Sequence, residues 1–170
     1  MLNLMRAGGA LLVAAAGVLA GLGAAREYAL RERELRDLAQ ALARMRAEIE
    51  LRLTPMPELF ALLAREGGSN APFFEALSRE MESENCPPLE SLWEETVSRT
   101  FPPGASRDAL VPLGAFLGSY DGPEECAAIA RAEERLQAAL TAAETERRIR
   151  GPLALRLFAA AGAGLAILFL

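Results

Sequence analysis

The feature that most constrains this chain is an apolar stretch without charged residues at each of its two ends. The first covers residues 7–25 and is bounded by Arg6 and Arg26. Its length is close to the roughly 20 residues that a helix needs to cross a bilayer. We therefore predict an N-terminal transmembrane helix over residues 1–25. The alternative is a cleaved signal peptide, with Arg6 as its basic region and the small residues 23–25 as its cleavage site.

The second apolar stretch, residues 157–170, has no charged residue and reaches the end of the sequence. It is short for a membrane span, but residues 151–155 extend it if the Arg156 side chain reaches toward the membrane surface. We therefore predict a C-terminal transmembrane helix over residues 151–170. The alternative is a helix buried in a protein core, which the absence of any polar face disfavours.

Arginines cluster on the inner side of both apolar stretches and predict an orientation. Because positive residues collect on the cytoplasmic side of membrane helices, we expect residues 26–150 to form a cytoplasmic domain and both termini to lie outside. In the first stretch Gly17 and Gly21 form a GxxxG pair, which favours close packing of another membrane helix. The arginines concerned are Arg26, Arg31, Arg33 and Arg36, and then Arg147, Arg148, Arg150 and Arg156.

The segment 26–150 has the pattern of a helical domain. It is rich in Ala, Leu, Glu and Arg, and its apolar residues recur at steps of three and four. No stretch alternates as a strand would. The expected fold class is therefore all-α: a soluble bundle of about six helices between the two transmembrane helices. The stripes of its first and last helices are Leu35, Leu38, Leu42, Met45 and Ile49, and then Cys126, Ile129, Leu136, Leu140 and Ala143.

Prolines, glycines and capping residues predict where the helices begin and end. Thr54 is predicted to cap the second helix, with Pro55 in its first turn and the glycines at residues 67–68 after its end. Ser106 is predicted to cap a later helix, and Asp121 matches the first residue of a capping box before the final helix. Further boundaries are predicted at Ser69 or Asn70, at Pro87-Pro88 and at residues 101–104.

The chain lacks the residues that most often carry chemistry. It has no His, and all 18 of its basic residues are Arg, which removes the commonest metal ligand and general base. Cys86 and Cys126 lie far apart without a CxxC pattern, and we expect them to be buried small residues rather than a disulfide or a zinc site. The carboxylates of Glu80, Glu82 and Glu84 fit a solvated helix face. We expect no enzymatic activity, cofactor or metal, and the net charge of −5 argues against a nucleic-acid partner.

A second GxxxG pair, Gly114 and Gly118, lies within the predicted domain beside Leu113 and Leu117. Glycine is unfavourable inside a helix by about 1 kcal/mol, so the pair indicates a surface that something approaches closely. If the segment is helical, both glycines lie on one face. Two explanations stay open: an internal helix crossing, or a docking groove for a partner.

The order and spacing of several motifs resemble stage III sporulation protein AB of endospore-forming bacteria over nearly the whole chain. One departure lies near the C-terminus, where residues 157–159 are Leu-Phe-Ala instead of the start of the family's Leu-Gly-x-Leu-x-Gly. The matching motifs are Ala-Glu-Ile-x4-Thr-Pro at residues 47–55, Trp93-Glu94, Leu-Gly-x2-Leu-Gly at residues 113–118 followed by Asp121, and the apolar C-terminal tail.

This resemblance implies a non-enzymatic membrane subunit of the mother-cell complex that joins the mother cell to the engulfed forespore. The family is similar to the platform proteins of type II secretion and type IV pilus systems, whose cytoplasmic helical domain contacts an assembly ATPase. The domain would then dock the complex's own ATPase beside other membrane subunits, and a homo-oligomer is left open. The candidate partner or packing positions are Thr54, Pro55, Trp93, Gly114, Gly118 and Asp121.

Two other functions are compatible with the sequence. A secreted or periplasmic helical binding module would require the signal-peptide interpretation of residues 1–25, which an intact N-terminal mass would exclude. A small membrane assembly factor unrelated to sporulation is the other. Neighbouring genes for an ATPase and for further small membrane proteins would favour the sporulation complex.

Overall fold

The computed structural model of the protein describes residues 2–118 and 122–169, and it places only some side chains in the outer parts of the first and last helices. Over these residues the chain forms six α-helices and no strand, which confirms the all-α class. A short 3₁₀ turn, Val111–Leu113, follows the fifth helix. The helices are α1 Leu2–Arg52, α2 Met56–Glu66, α3 Ala71–Met81, α4 Leu89–Thr100, α5 Ala105–Leu110 and α6 Gly122–Phe169.

The chain divides into two compact units. Residues 33–140 form one unit, and residues 1–32 together with 141–170 form the other. Within the second unit an ion pair joins the two long helices, because Arg147 Nη1 lies 2.8 Å from the carboxylate of the buried Glu32. Pro152 lies inside α6, where its missing N–H removes one helical hydrogen bond.

The transmembrane helices over residues 1–25 and 151–170 stay predictions, because most side chains of those stretches lie outside the described ones. In the described part of the chain, no helix combines the length and the apolar character that a bilayer span requires. Gly17 and Gly21 both lie in α1, and Gly21 is buried, but the surroundings of Gly17 are not described. The predicted packing of a second membrane helix on this pair therefore stays a prediction.

The core of the 33–140 unit contains the predicted apolar stripes. All five stripe residues of α1, from Leu35 to Ile49, are buried. Ile129 and Leu136 of α6 are also buried, whereas Cys126 is only half-buried. Because both stripes face inward, the helical periodicity of the sequence places the long helices correctly. The short helices and the loop after α4 add a cluster of aromatic rings from Phe60, Phe73, Phe74, Trp93 and Phe101.

Polar groups of α1 hold the loops that connect the short helices. The Asp37 carboxylate accepts hydrogen bonds from the backbone N–H and the hydroxyl of Ser69, at 2.9 and 2.7 Å. Asn70 Nδ2 donates to the backbone carbonyl of Glu34 at 3.2 Å, and Ser106 Oγ donates to the Glu34 carboxylate at 2.9 Å. Burial acts to raise the Asp37 pKa, but the Ser69 hydrogen bonds and nearby arginine charges hold it below its usual value.

Several predicted helix boundaries are confirmed. α2 ends at Glu66, and Gly67 follows it in the left-handed backbone region with φ 83°, which glycine adopts without steric cost. The prolines at residues 87–88 come directly before α4, and residues 101–104 separate α4 from α5. These breaks follow from proline and glycine chemistry, which acts locally.

Two predicted side-chain caps are wrong. Thr54 does not cap α2, because Pro55 occupies the capping position and no side chain bonds the helix end. Ser106 lies inside α5, whose capping position is Gly104, and its hydroxyl donates to Glu34 instead. A hydrogen bond from a hydroxyl to a carboxylate is stronger than one from a neutral helix N–H to that hydroxyl. Each side chain therefore contributes to packing between elements rather than to a helix end.

Candidate functional site

Trp93, one of the candidate positions, lies inside the 33–140 unit. Its side chain is fully buried, and its indole Nε1–H donates a 2.8 Å hydrogen bond to the backbone carbonyl of Leu110. The Phe73 ring lies edge-on to the indole with 5.3 Å between centroids, and the Phe60 ring lies 6.1 Å away. A buried indole needs both an apolar surrounding and a hydrogen-bond partner. Trp93 has both, so it ties α4 to the end of α5.

Gly114 does not lie on a helix face, which corrects the predicted helical GxxxG strip. α5 ends at Leu110, and the chain continues as a 3₁₀ turn and a loop. A helix running through this segment would contain Pro112 in its interior, where the missing N–H and the ring clash are unfavourable. A Cβ atom added at Gly114 would lie 2.8 Å from Trp93 Cδ1. The glycine therefore allows the backbone to pack against the buried indole.

Gly118 serves a different purpose from Gly114. Its φ of 73° lies in the left-handed region, where a residue with a Cβ is strained. Its backbone N–H donates a 2.8 Å hydrogen bond to the carboxylate of Glu125 in α6. Burial raises the pKa of Glu125, while the hydrogen bond from Gly118 acts to lower it. A Cβ at Gly118 would also lie 3.0 Å from Leu89 Cδ2 of α4, so this loop residue packs tightly on α4.

Thr54 and Pro55 lie at the connection between α1 and α2. Thr54 Oγ1 donates a 3.2 Å hydrogen bond to the carboxylate of Glu48, which is buried in α1. Arg44 and Arg52 pair with the same carboxylate at 3.0 and 3.5 Å. A buried carboxylate is stable only when it is paired and hydrogen-bonded. Glu48 is both, and Thr54 supplies the hydroxyl that completes its surroundings.

The structure thus brings together three of the candidate positions and separates two others from them. Trp93, Gly114 and Gly118 all belong to the packing around α4, whereas Thr54 belongs to the α1–α2 connection. Asp121 lies outside the described residues, so its role in a capping box stays a prediction. Within residues 2–118 and 122–169, no group of three or more His, Cys, Asp or Glu side chains could hold a metal ion.

The cysteines differ from the prediction, and the carboxylates follow it only in part. Cys86 is exposed in the turn before the two prolines and Cys126 is half-buried, both as free thiols, so the expected burial is wrong. The reason is that Cys86 lies between α3 and α4 and not on the apolar face of either helix.

Glu82 and Glu84 are exposed as predicted. Glu80, however, lies 2.7 Å from Arg99 Nη2 in an ion pair between α3 and α4.

A groove between α1 and α6 lies apart from the predicted site residues. It has a volume of about 510 Å³ and lies entirely within the 33–140 unit. Its lining includes Ile49 and Glu50 from the end of α1, Leu53 directly after that helix, and Pro123, Cys126 and Ala127 from the start of α6. We call this surface the α1–α6 groove. The exposed Leu53 has a φ of 52°, and nothing in the sequence marks a leucine for a left-handed conformation.

These observations define the chain as an all-α protein in which two long helices and four short ones build the unit of residues 33–140. The sequence model of the family stage III sporulation protein AB matches residues 6–170, essentially the whole chain. The chain therefore belongs to the stage III sporulation protein AB family and is a sporulation-related protein. No curated protein and no solved structure matches it at a significant level.

Proposed function

We propose that this chain is a non-enzymatic membrane subunit of the mother-cell sporulation complex that links mother cell and forespore, and that its helical domain docks the complex's ATPase. The observation that carries the proposal is the family match over residues 6–170. The similarity of the family to secretion and pilus platform proteins supplies the role of the domain. In this proposal the chain organises or transmits, and the ATPase hydrolyses.

The membrane part of the proposal rests on the two ends of the sequence. Residues 7–25 and 157–170 contain no charged residue, and arginines flank the inner side of both. The positive-inside rule then places residues 26–150 in the mother-cell cytoplasm and both termini outside. The ATPase would meet the domain there.

The non-enzymatic part rests on the residues that catalysis needs. The chain has no His, and the candidate positions Trp93, Gly114 and Gly118 contribute to packing around α4. The buried carboxylate of Glu48 is engaged in ion pairs with Arg44 and Arg52. Such arrangements stabilise a scaffold and present no nucleophile with an adjacent base.

A direct binding measurement tests the ATPase proposal. The full-length chain, purified in a mild detergent, is immobilised and exposed to the purified ATPase of the sporulation complex. We expect saturable binding that an unrelated secretion ATPase does not show. Trp93→Ala is a control variant, because loss of the buried indole should destabilise the domain and weaken binding. Absence of binding by the wild-type chain would contradict the docking role.

The exposed thiol of Cys86 provides a test of topology without an introduced cysteine. A membrane-impermeant maleimide is added to intact vegetative cells that express the chain in their plasma membrane, one face of which meets the medium. It should leave Cys86 unlabelled, and it should label the thiol once the cells are opened. The Cys86→Ser variant measures any labelling of the half-buried Cys126. Labelling of Cys86 in intact cells would place the domain outside and favour the secreted or periplasmic module.

A further inference from the structure

We infer that the α1–α6 groove is the docking surface for the ATPase and that it takes an amphipathic helix whose apolar residues are flanked by Arg or Lys. This inference rests on the proposed function for the identity of the partner. The groove itself is defined by its apolar lining, by a strained leucine at its rim and by an uncompensated carboxylate.

The apolar character of the groove comes from both helices. Ile49 contributes from α1 and Leu53 from the position directly after it, and Pro123, Cys126 and Ala127 contribute from α6. Its volume of about 510 Å³ lies within the range of roughly 300–1,000 Å³ for binding pockets. Grooves between two helices commonly bind the apolar face of a third helix, with side chains one turn apart.

Leu53 is unusual in two independent ways. In the described part of the chain it is the only non-glycine residue with positive φ, and its side chain is 80% exposed. Its N–H bonds the carbonyl of Ile49 at 3.3 Å, so it occupies the left-handed position after α1 that glycine usually takes. Gly67 takes the corresponding position after α2. An exposed leucine gains little from the fold here, so the strain indicates a use for its side chain outside the chain.

The charges at the groove specify the partner. Arg46 is already bound on two nitrogens by Glu133, with both distances 3.1 Å. The side chain of Glu50, also part of the lining, is exposed and forms no ion pair with a side chain in the described part of the chain. The groove therefore carries an unbalanced negative charge beside the carbonyl end of α1, which adds partial negative charge. Because opposite charge favours association, a cation on the partner is expected next to the apolar contact.

The decisive variant is Leu53→Gly, because structural and binding roles predict opposite results for it. Glycine relieves the left-handed strain, so the melting temperature of the full-length chain should stay equal or rise. If Leu53 contacts the ATPase, the same change should weaken binding by about tenfold or more. The matched control is Leu51→Ala, which removes an equally exposed leucine of α1, 81% exposed, that does not line the groove. It should bind as the wild type does.

A charge variant tests the cationic partner separately. Glu50→Arg should weaken ATPase binding by about tenfold and flatten its dependence on salt, because it replaces attraction with repulsion. The control Glu58→Arg reverses an exposed charge in the first turn of α2, outside the groove lining, and should leave binding unchanged. Equal binding by Glu50→Arg and the wild type would overturn the assignment of a basic partner.

The outcomes separate this inference from the proposed function. If the wild-type chain binds the ATPase and Leu53→Gly binds equally, the groove is not the docking surface, although the proposed function stands. If the wild-type chain does not bind, the proposed function fails and this inference fails with it. A photoreactive residue at the position of Ala127 should cross-link to the ATPase in sporulating cells. A cross-link to a second copy of this chain instead would overturn the ATPase as the occupant.

Discussion

The connection between α1 and α2 and the connection between α5 and α6 each hold a residue in the left-handed backbone region. In the second connection this residue is Gly118, which follows another closely packed glycine, Gly114. In the first it is Leu53, whose side chain is largely exposed. Both connections therefore need a positive φ. Gly118 adopts it without strain, whereas the Cβ of Leu53 makes it unfavourable.

The difference shows what each connection contributes. Around residues 114–118 the backbone itself packs against α4, so any side chain would collide with Trp93 or Leu89. At Leu53 a side chain is retained although glycine would fit the backbone better. Substitutions in the glycine connection should therefore cost stability. Substitutions at the leucine connection should cost little stability, and their effect should appear in binding.

The largest expected effect is that of Trp93→Ala. Removing a fully buried indole leaves a cavity and should lower the free energy of unfolding by about 3–5 kcal/mol. Urea denaturation of the full-length chain followed by circular dichroism measures it. Trp93→Phe should cost less, because it keeps an aromatic ring in the core. It should still cost some stability, because the Leu110 carbonyl loses its hydrogen-bond donor. A loss below about 1 kcal/mol for the alanine variant would contradict the role of Trp93 as the buried residue on which the Gly114 backbone packs.

Gly114→Ala should have the next largest effect. The new methyl group would lie 2.8 Å from Trp93 Cδ1, and the buried indole has little room to move. We expect a loss of about 1–3 kcal/mol, measured by urea denaturation with the fluorescence of Trp93 as the signal. The matched control is Gly122→Ala at the start of α6, where a Cβ meets no atom within 4 Å. Equal losses for both variants would show that the close contact with Trp93 is not the cause of the loss.

At the other connection, Thr54→Val should lower the free energy of unfolding by only about 1 kcal/mol. The variant keeps the shape of the side chain but removes the hydroxyl that donates to Glu48. Arg44 and Arg52 still pair with that carboxylate, which limits the loss. Thr100→Val, at an exposed position, is the control and should change little. If Thr54→Val lowered the free energy of unfolding as much as Trp93→Ala does, the α1–α2 connection would be as important for stability as the packing around α4.

The smallest expected effect is a pH dependence at Glu125. Because burial raises its pKa above the usual 4.5, the folded state binds its proton more tightly than the unfolded state does. Its contribution is therefore most favourable below pH 4.5 and is lost as the pH rises through the raised value. Glu125→Gln keeps an acceptor for the Gly118 N–H, so its melting temperature should exceed that of the wild type at pH 7. The difference should shrink at pH 4, and an unchanged difference would contradict the assignment.

The sequence predicts the helices and their buried faces well, because both depend on the periodicity of apolar residues. The buried stripe from Leu35 to Ile49 and the residues Ile129 and Leu136 follow from apolar spacing alone. Gly67 follows from the local chemistry of helix ends. These features need no knowledge of which parts of the chain meet.

The candidate site is less predictable because it depends on partners far along the chain. The hydroxyls of Thr54 and Ser106 suggest caps, yet they donate to Glu48 and Glu34, and no local pattern marks either carboxylate as their partner. The spacing of Gly114 and the next glycine suggests a helix, which Pro112 prevents. Competition between local capping and distant burial is decided only by the folded packing.

The hydrogen bonds of α1 also order the events of folding. Its Glu34 accepts hydrogen bonds from Asn70, 36 residues later, and from Ser106, 72 residues later, so the partner of both side chains is synthesised before them. The bonds of Arg46 to Glu133 and of Arg147 to Glu32 span 87 and 115 residues, so they can close only after those of Glu34. Distant contacts form slowly, and the face of α1 that receives α6 stays uncovered during synthesis. A nascent chain stalled before residue 122 should therefore bind a chaperone that recognises apolar surface.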